Sequence, residues 1–287
     1  MVNSDKVFVI TGANSGLGFE AALKLASLSA TNTVILSCRD ADKGERARQA
    51  IVKATGNSNT RVMRLDVSSL ASVREFAGQF DGPIDALICN AGISRGPARS
   101  EDGLDGVFET NHLGHFLLTN LLLEKVVPNG RVISVSSDMH QPPGPKLRWP
   151  GVERLAEPGG VSGIHRYSYS KLCNLYFVYE LSRRLRAEGS GVAVAAFNPG
   201  LMTDTNFVST PGPFAGAMKR IFASRVGSLD GSGAALAELA TRAGDIDGLY
   251  FDRTAKASTP SSALSYDEDN ARELWDASSR LSGISAG

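Results

Sequence analysis

Tyr167 and Lys171 stand four residues apart. On a helix that spacing is ~400° of rotation, so the two side chains share a face. A free phenol ionises near ~10, too high for easy proton exchange at neutral pH. A neighbouring ammonium favours the phenolate and lowers that value. Tyr167 is therefore a candidate general acid/base. Tyr169 is not equivalent, because it points ~160° away from Lys171. Tyr-x3-Lys is a common pattern, and a surface pair is its ordinary explanation, so its meaning depends on what surrounds it.

A second chemical feature lies near the N-terminus. Lys6–Gly18 reads KVFVITGANSGLG. Val7–Ile10 is a short apolar run, Gly12, Gly16 and Gly18 form a turn, and Phe19, Ala22, Leu23, Leu25 and Ala26 follow near helical spacing. Strand, glycine turn and helix together can present backbone N–H groups and the positive end of a helix dipole to a pyrophosphate. Gly-x3-Gly-x-Gly is not the G-x-G-x-x-G fingerprint. An ordinary strand–helix turn is the alternative.

The elements that must position these residues alternate along the chain. Strand-like runs fall at Val7–Ile10, Thr33–Cys38, Arg61–Leu65, Ala86–Cys89, Arg131–Val135, Val192–Phe197 and Gly248–Phe251. Helical patterns fall at Gly18–Ser29, Asp42–Thr55, Ser69–Gln79, Gly103–Val127, Tyr167–Glu188, Gly231–Ala243 and Glu268–Leu281. Alternation of this kind predicts an α/β fold: a doubly wound, Rossmann-type parallel sheet of about seven strands with helices on both faces. The 287 residues fit a single domain, 1–287. Two stretches interrupt the rhythm. One is a proline-rich insertion at 138–166. The other, at 201–230, combines Pro211 and Pro213 with Phe207, Phe214, Met218 and Phe222. The second reads as a substrate lid, since Phe214, Met218 and Phe222 recur four apart. With Trp149 these side chains suggest an apolar substrate, ordinary packing being the alternative.

Ser137 ends the strand RVISVSS, Asn90-Ala91-Gly92 ends another, Asn111 opens NHLGHFLLTNLLLE, and Pro199-Gly200 ends a third strand. The ordered set TGANSGLG, CNAG, NHLG, SVSS, YSYSK and NPG resembles the short-chain dehydrogenase/reductase family. The long gap from Ser137 to Tyr167, with SCRDADKGE and YSYSKLCN, is most similar to retinol-dehydrogenase-type and light-dependent protochlorophyllide-reductase-type members. The resemblance implies a catalytic set of Asn111, Ser137, Tyr167 and Lys171. Tyr167 would pass a proton to or from the reacting oxygen, and Lys171 would lower its pKa and hold the ribose hydroxyls. Ser137 would hydrogen-bond that oxygen, with Ser136 as the alternative. Asn111 would support a relay to Lys171 through its backbone.

The same resemblance implies a cofactor site of Gly12, Asn14, Ser15, Gly16, Leu17, Gly18, Arg39, Lys43, Asp66, Val67, Asn90, Ala91, Gly92, Tyr167, Lys171, Pro199, Gly200 and Thr203. Asp66 would bond the adenine. Cys89 stands where the usual first Asn of the NNAG motif would be. Asp204 stands where members often carry a nicotinamide-side threonine, so Thr203 or Thr205 would serve. NAD-specific members carry an acid at the end of the second strand. Here that position is Cys38, followed by Arg39 and Lys43. These cations would bind a 2′-phosphate, which predicts NADP(H). Solvated helix-start charges beside Asp40 and Asp42 are the alternative. Cys173 matches a cysteine proposed as a proton donor in the photoreductase group, but it lies ~120° around the helix from Tyr167.

The implied activity is NADP(H)-dependent interconversion of a carbonyl and an alcohol on an apolar small molecule. Reduction of an activated carbon–carbon double bond and a non-catalytic nucleotide-binding module are the alternatives. Thirty basic and thirty acidic residues cancel, which argues against nucleic acid as the main partner. No run approaches the ~20 apolar residues of a membrane span. Cys38, Cys89 and Cys173 lack metal-ligand spacing and read as free thiols of a cytoplasmic protein. Of the histidines, His112 and His115 read as packing or surface residues, and His140 and His165 as residues that could touch substrate. A monomer or a homodimer is expected.

Overall fold

The computed structural model describes residues 5–142, 146–161, 163–200, 228–255 and 260–285, and the side chain of Ile164 is not described. Seven strands form one parallel sheet in the order β3-β2-β1-β4-β5-β6-β7. They are β1 Val7–Thr11, β2 Thr33–Cys38, β3 Thr60–Arg64, β4 Ile84–Cys89, β5 Val126–Val135, β6 Ala193–Phe197 and β7 Leu249–Phe251. The helices are α1 Gly16–Leu28, α2 Ala41–Thr55, α3 Leu70–Gln79, α4 Gly106–Phe108, α5 Gly114–Leu122, α6 Val152–Ala156, α7 Ile164–Ala187, α8 Leu229–Thr241 and α9 Glu268–Ser282. Strand order reverses between β1 and β4, where Phe8 pairs with Ala86. In such sheets the crevice beyond the carboxyl ends of those two strands is the place for a ligand.

Both faces of the sheet are buried over its central strands, while the edge strand β3 exposes Arg61 and Arg64. Phe8 and Ile10 point into a layer with Leu25 of α1, Leu36 and Leu236 of α8. Val9 points the other way, into a layer with Leu87, Phe116, Val178 and Trp275. Continuous apolar strands, buried on both sides, are what a parallel sheet between helical layers requires.

The region expected as one helix over Gly103–Val127 is built differently. Gly103 has φ 86°, outside helical space. Asp105 instead caps the start, accepting from the Val107 and Phe108 N–H groups at 3.0 Å. A five-residue π turn, Glu109–Leu113, then separates α4 from α5. After a 3₁₀ turn at Leu123–Lys125 the chain is already in β5, whose Val126 pairs with Ile84. Within the insertion at 138–166 the described residues form a 3₁₀ turn, Asp138–His140, and α6, with the start of α7 at its end. Of the segment read as a lid, 201–227 lies outside the described residues, with Thr203, Thr205, Phe207, Phe214, Met218 and Phe222.

Candidate active site

The glycine turn sits at the carboxyl end of β1. Gly12 and Gly16 have φ 66° and 58°, a region that favours glycine. A Cβ on Gly18 would lie 2.5 Å from Asn90 Nδ2 and 2.7 Å from the Gly12 carbonyl oxygen. Close approach of α1 to β4 therefore needs glycine there. Ser15 caps α1 without a side-chain hydrogen bond, so its hydroxyl does not take up the first N–H groups of the helix. Asn14 is half-buried, Ser15 exposed and Leu17 buried beneath the turn. The open helix start and the glycine cradle fit a pyrophosphate.

β4 is locked to this turn. Thr11 Oγ1 accepts from the Asn90 and Ala91 amides at 2.9 Å each, and Asn90 Nδ2 donates to the Thr11 carbonyl at 2.8 Å. A Cβ on Gly92 would meet Asn111 Oδ1 at 3.1 Å and Lys171 Nζ at 3.5 Å. The π turn brings Asn111 into this junction. Its side chain is fully engaged: Oδ1 accepts from the Ile93 amide at 2.7 Å, while Nδ2 donates to the Ile93 carbonyl and to Ser170 Oγ at 2.9 and 2.8 Å. Asn111 thus fastens the loop after β4 to α7.

Tyr167 and Lys171 lie on one face of α7, against the end of β5. Lys171 Nζ donates to the Val135 carbonyl at 2.8 Å and sits 5.7 Å from the centre of the Tyr167 ring. Ser137 hydrogen-bonds the Tyr167 hydroxyl, which opposes a larger upward effect of burial on the phenol. Ser136 turns the other way and donates to the Lys171 carbonyl at 2.9 Å, fully buried. The serine at Tyr167 is therefore Ser137.

Electrostatics differ from the expected lowering of the tyrosine pKa. Burial pushes the Tyr167 phenol up to about 12. Burial also pushes Lys171 down to about 8. In the protein alone desolvation outweighs the ammonium, which faces the ring and is bound to a carbonyl. Tyr167 is held protonated at neutral pH.

At the end of β2, Cys38 is buried and Arg39 is exposed beside it. Lys43 pairs with Asp40 at 3.3 Å, and Asp40 also caps α2 through the Lys43 amide at 3.0 Å. Asp66 Oδ1 accepts from the Ser68 amide and hydroxyl at 3.0 and 2.6 Å. Ser69, not Asp66, caps α3. Val67 lies under α5, where a Cβ on Gly114 would fall 2.0 Å from the Val67 carbonyl oxygen. At the end of β6, Gly200 has φ 78° and donates to Asn198 Oδ1 at 3.0 Å, while the Pro199 carbonyl accepts from Ser232 at 2.9 Å.

The side chains weighed as substrate contacts, Trp149 and His140, have partners within the fold, as do His112, His115 and Cys173. Trp149 donates to Glu273 Oε2 at 2.7 Å and packs edge-on against Tyr176, away from Tyr167. His140 is buried and bonded to backbone groups at both ring nitrogens. His112 and His115 are buried too, the first against Ser278 and the second against Thr11. Cys173 is buried in an apolar cluster with Leu172 and Tyr176. Thr11, His115 and Asn198 are not assigned to the site from sequence, and His140 is read there only as a residue that could touch substrate. Only their nearness to the TGANSGLG, NHLG, SVSS and NPG motifs could have marked them.

A glycine cradle at a sheet switch point, with a serine, tyrosine and lysine converging beside it, defines a Rossmann-type dinucleotide-binding oxidoreductase. The model of the short chain dehydrogenases matches residues 6–148. Retinol dehydrogenase 13 of Homo sapiens is 37% identical, over 98% of this chain and 86% of its own length. Short-chain dehydrogenase TIC 32 A, chloroplastic, of Brassica napus is 33% identical, over 95% of this chain and 87% of its own. A crystal structure of a Mycobacterium paratuberculosis protein superposes with a TM-score of 0.76 at 34% identity, over 98% of this chain and 95% of that one. The chain belongs to the short-chain dehydrogenase/reductase family, alongside its retinol-dehydrogenase-type members. No helix among the described residues is long and apolar enough to cross a membrane.

Proposed function

We propose that the protein is an NADP(H)-dependent oxidoreductase interconverting a carbonyl and an alcohol on an apolar small molecule. The observation that carries this reading is the convergence of Ser137, Tyr167 and Lys171 next to Gly92, in the loop that Thr11 ties to the glycine turn. The bound nicotinamide supplies or accepts the hydride. Ser137 holds the substrate oxygen by a hydrogen bond. Tyr167, protonated at neutral pH, gives that oxygen its proton in reduction and takes it back in oxidation. Lys171 holds the ribose hydroxyls and sets the field at Tyr167. Asn111 keeps the loop after β4 and α7 in register, leaving its backbone for a relay toward Lys171.

For the nucleotide, Gly12, Asn14, Ser15, Gly16, Leu17 and Gly18 would hold the pyrophosphate, Asp66 and Val67 the adenine, and Asn90, Ala91 and Gly92 the adjoining ribose. Pro199, Gly200 and Thr203 would flank the nicotinamide. Arg39 and Lys43 would bind the 2′-phosphate where an NAD enzyme needs an acid, and Lys43 would exchange Asp40 for it. Retinol dehydrogenase as the name of a 37% identical relative supports an apolar, long-chain carbonyl. Burial of Cys173 in an apolar cluster supports a packing role for it over proton donation in double-bond reduction. The test is NADPH oxidation against a panel of ketones, aldehydes including all-trans-retinal, quinones and enones, with product identification. An alcohol product is expected. A saturated carbon–carbon bond, or no turnover, overturns the reading.

A further inference from the structure

The 3₁₀ turn that follows Ser137 is tied down from three directions. Asp138 Oδ1 accepts from Asn198 Nδ2 at 2.7 Å, at the end of β6. The Tyr250 hydroxyl of β7 reaches the same oxygen at 3.4 Å, and the His140 ring packs edge-on against Tyr250. The third tie is His140 itself. Its backbone amide and its Nδ1 both meet the Ser137 carbonyl, at 3.0 and 2.7 Å. Its Nε2 lies 3.0 Å from the backbone amide of Ser262.

These partners determine where the imidazole proton is. A carbonyl oxygen can only accept, so Nδ1 carries the hydrogen. A backbone N–H can only donate, so Nε2 presents its lone pair. Both ends require the same neutral tautomer. An imidazolium would set an Nε2–H against the Ser262 N–H. His140 is 5% exposed, so water cannot substitute for either partner at little cost.

We propose that His140 is a positioning residue: its neutral imidazole bridges the Ser137 carbonyl and the Ser262 amide, and so fixes the turn that aims the Ser137 hydroxyl at Tyr167. This rests on the role given above to Ser137. The bridge joins the carboxyl end of β5 to the segment that precedes α9: the Nδ1–H bond to the Ser137 carbonyl holds the turn, and the Ser262 amide keeps the ring in the tautomer that makes that bond. The side chain does not touch substrate; it acts through the serine main chain.

Two substitutions separate the halves of the bridge. In His140→Asn the amide Nδ2 occupies the Nδ1 position and keeps the donor to Ser137. In His140→Gln the amide oxygen reaches toward Ser262 and the donor to Ser137 is lost. With NADPH and a panel carbonyl that the wild type reduces, His140→Gln should lower kcat ~10- to 100-fold, the effect of misplacing a reacting group. NADPH affinity should stay within about twofold, and His140→Asn should keep most of kcat, because the nucleotide contacts lie elsewhere and the Ser137 donor survives. Equal kcat in wild type and His140→Gln overturns the proposal. So does a parallel loss of kcat, NADPH affinity and thermal stability in both variants, which would mark a general packing role.

A second measurement needs no substrate. Long-range ¹H–¹⁵N correlation of histidine-labelled protein at pH 7.5 should show His140 as the Nδ1–H tautomer. The Ser137 and Asp138 amide resonances should move in His140→Gln far more than in His140→Asn. An Nε2–H tautomer, or equal movement in the two variants, overturns the proposal even where the panel yields no turnover.

Discussion

Lys171 Nζ sits 5.7 Å from the centre of the Tyr167 ring and donates to the Val135 carbonyl, not to the phenol oxygen. The contact between the two is therefore ammonium over ring, not a hydrogen bond. Burial dominates both groups, raising the phenol to about 12 and lowering the ammonium to about 8. The pair is poised as a protonated acid beside a cation that could lose its proton in mild alkali.

Tyr167→Phe removes the acid and keeps the ring. Turnover should fall by at least ~100-fold, the usual worth of a general acid/base. NADPH binding, followed by fluorescence, should persist. Turnover near wild type would exclude Tyr167 as proton donor.

Arg39→Ala combined with Lys43→Ala should weaken NADPH far more than NADH. Each charge-assisted bond to a phosphate is worth ~1.5–3 kcal/mol. Lys43 gives up Asp40 to make its bond, so Arg39→Ala alone should carry the larger share. Titration of both nucleotides against each variant checks this. Equal weakening of the two would mean the cations do not read the 2′-phosphate.

Helix propensity favours alanine over glycine by ~1 kcal/mol, and two glycines separate that preference from packing. A Cβ on Gly114 would fall 2.0 Å from the Val67 carbonyl oxygen, backbone that cannot swing aside. Gly114→Ala should cost ~1–3 kcal/mol or more, as overpacked sites do. Gly78, near the end of α3, has nothing within 4 Å of its Cβ position. Gly78→Ala should stabilise by ~0.5–1 kcal/mol. Urea midpoints of the two variants should move in opposite directions.

Glu109, in the π turn, is fully buried, and neither carboxylate oxygen has a hydrogen-bond partner of good geometry. Burial, with Asp102 nearby, raises its pKa from 4.5 to about 8. Between those values the folded protein holds more protons than the unfolded chain, so this group's contribution falls as pH rises. Glu109→Gln removes that dependence. The variant should melt higher than wild type at pH 8, and its advantage should shrink to nothing near pH 5. A pH-independent difference would show that Glu109 does not titrate in this range.

Most of the sheet was legible in the sequence because its strands are apolar on both faces. Val7, Phe8, Val9 and Ile10 need no partner pattern to be read as buried. The break at 103–127 was not legible, because the π turn at Glu109–Leu113 is a matter of backbone hydrogen bonding that apolar spacing does not encode. Tyr167 and Lys171 were legible from four-residue spacing only together with the motifs around them. Ser136 and Ser137 were separable only by orientation: one is under α7 and one faces Tyr167. For His140 the sequence offers only possible substrate contact, because its partners are a main-chain carbonyl and a main-chain amide, and neither leaves a mark in side-chain identity.

The central place of β1 has a consequence for synthesis. Val7 donates to Asp85 across 78 positions of sequence, at the start of β4. A ribosome adds ~5–20 residues per second, so β1 emerges about 4–16 seconds before the strand that closes its second edge. In that interval β1, β2 and β3 can assemble on one side, while the other edge of β1 offers its amides and carbonyls to any passing strand. Once β4 arrives, each later strand joins the outer side of the one made before it. The nascent chain is most exposed to mispairing before Ile84–Cys89 is made, and slow translation through that stretch would lengthen the exposure.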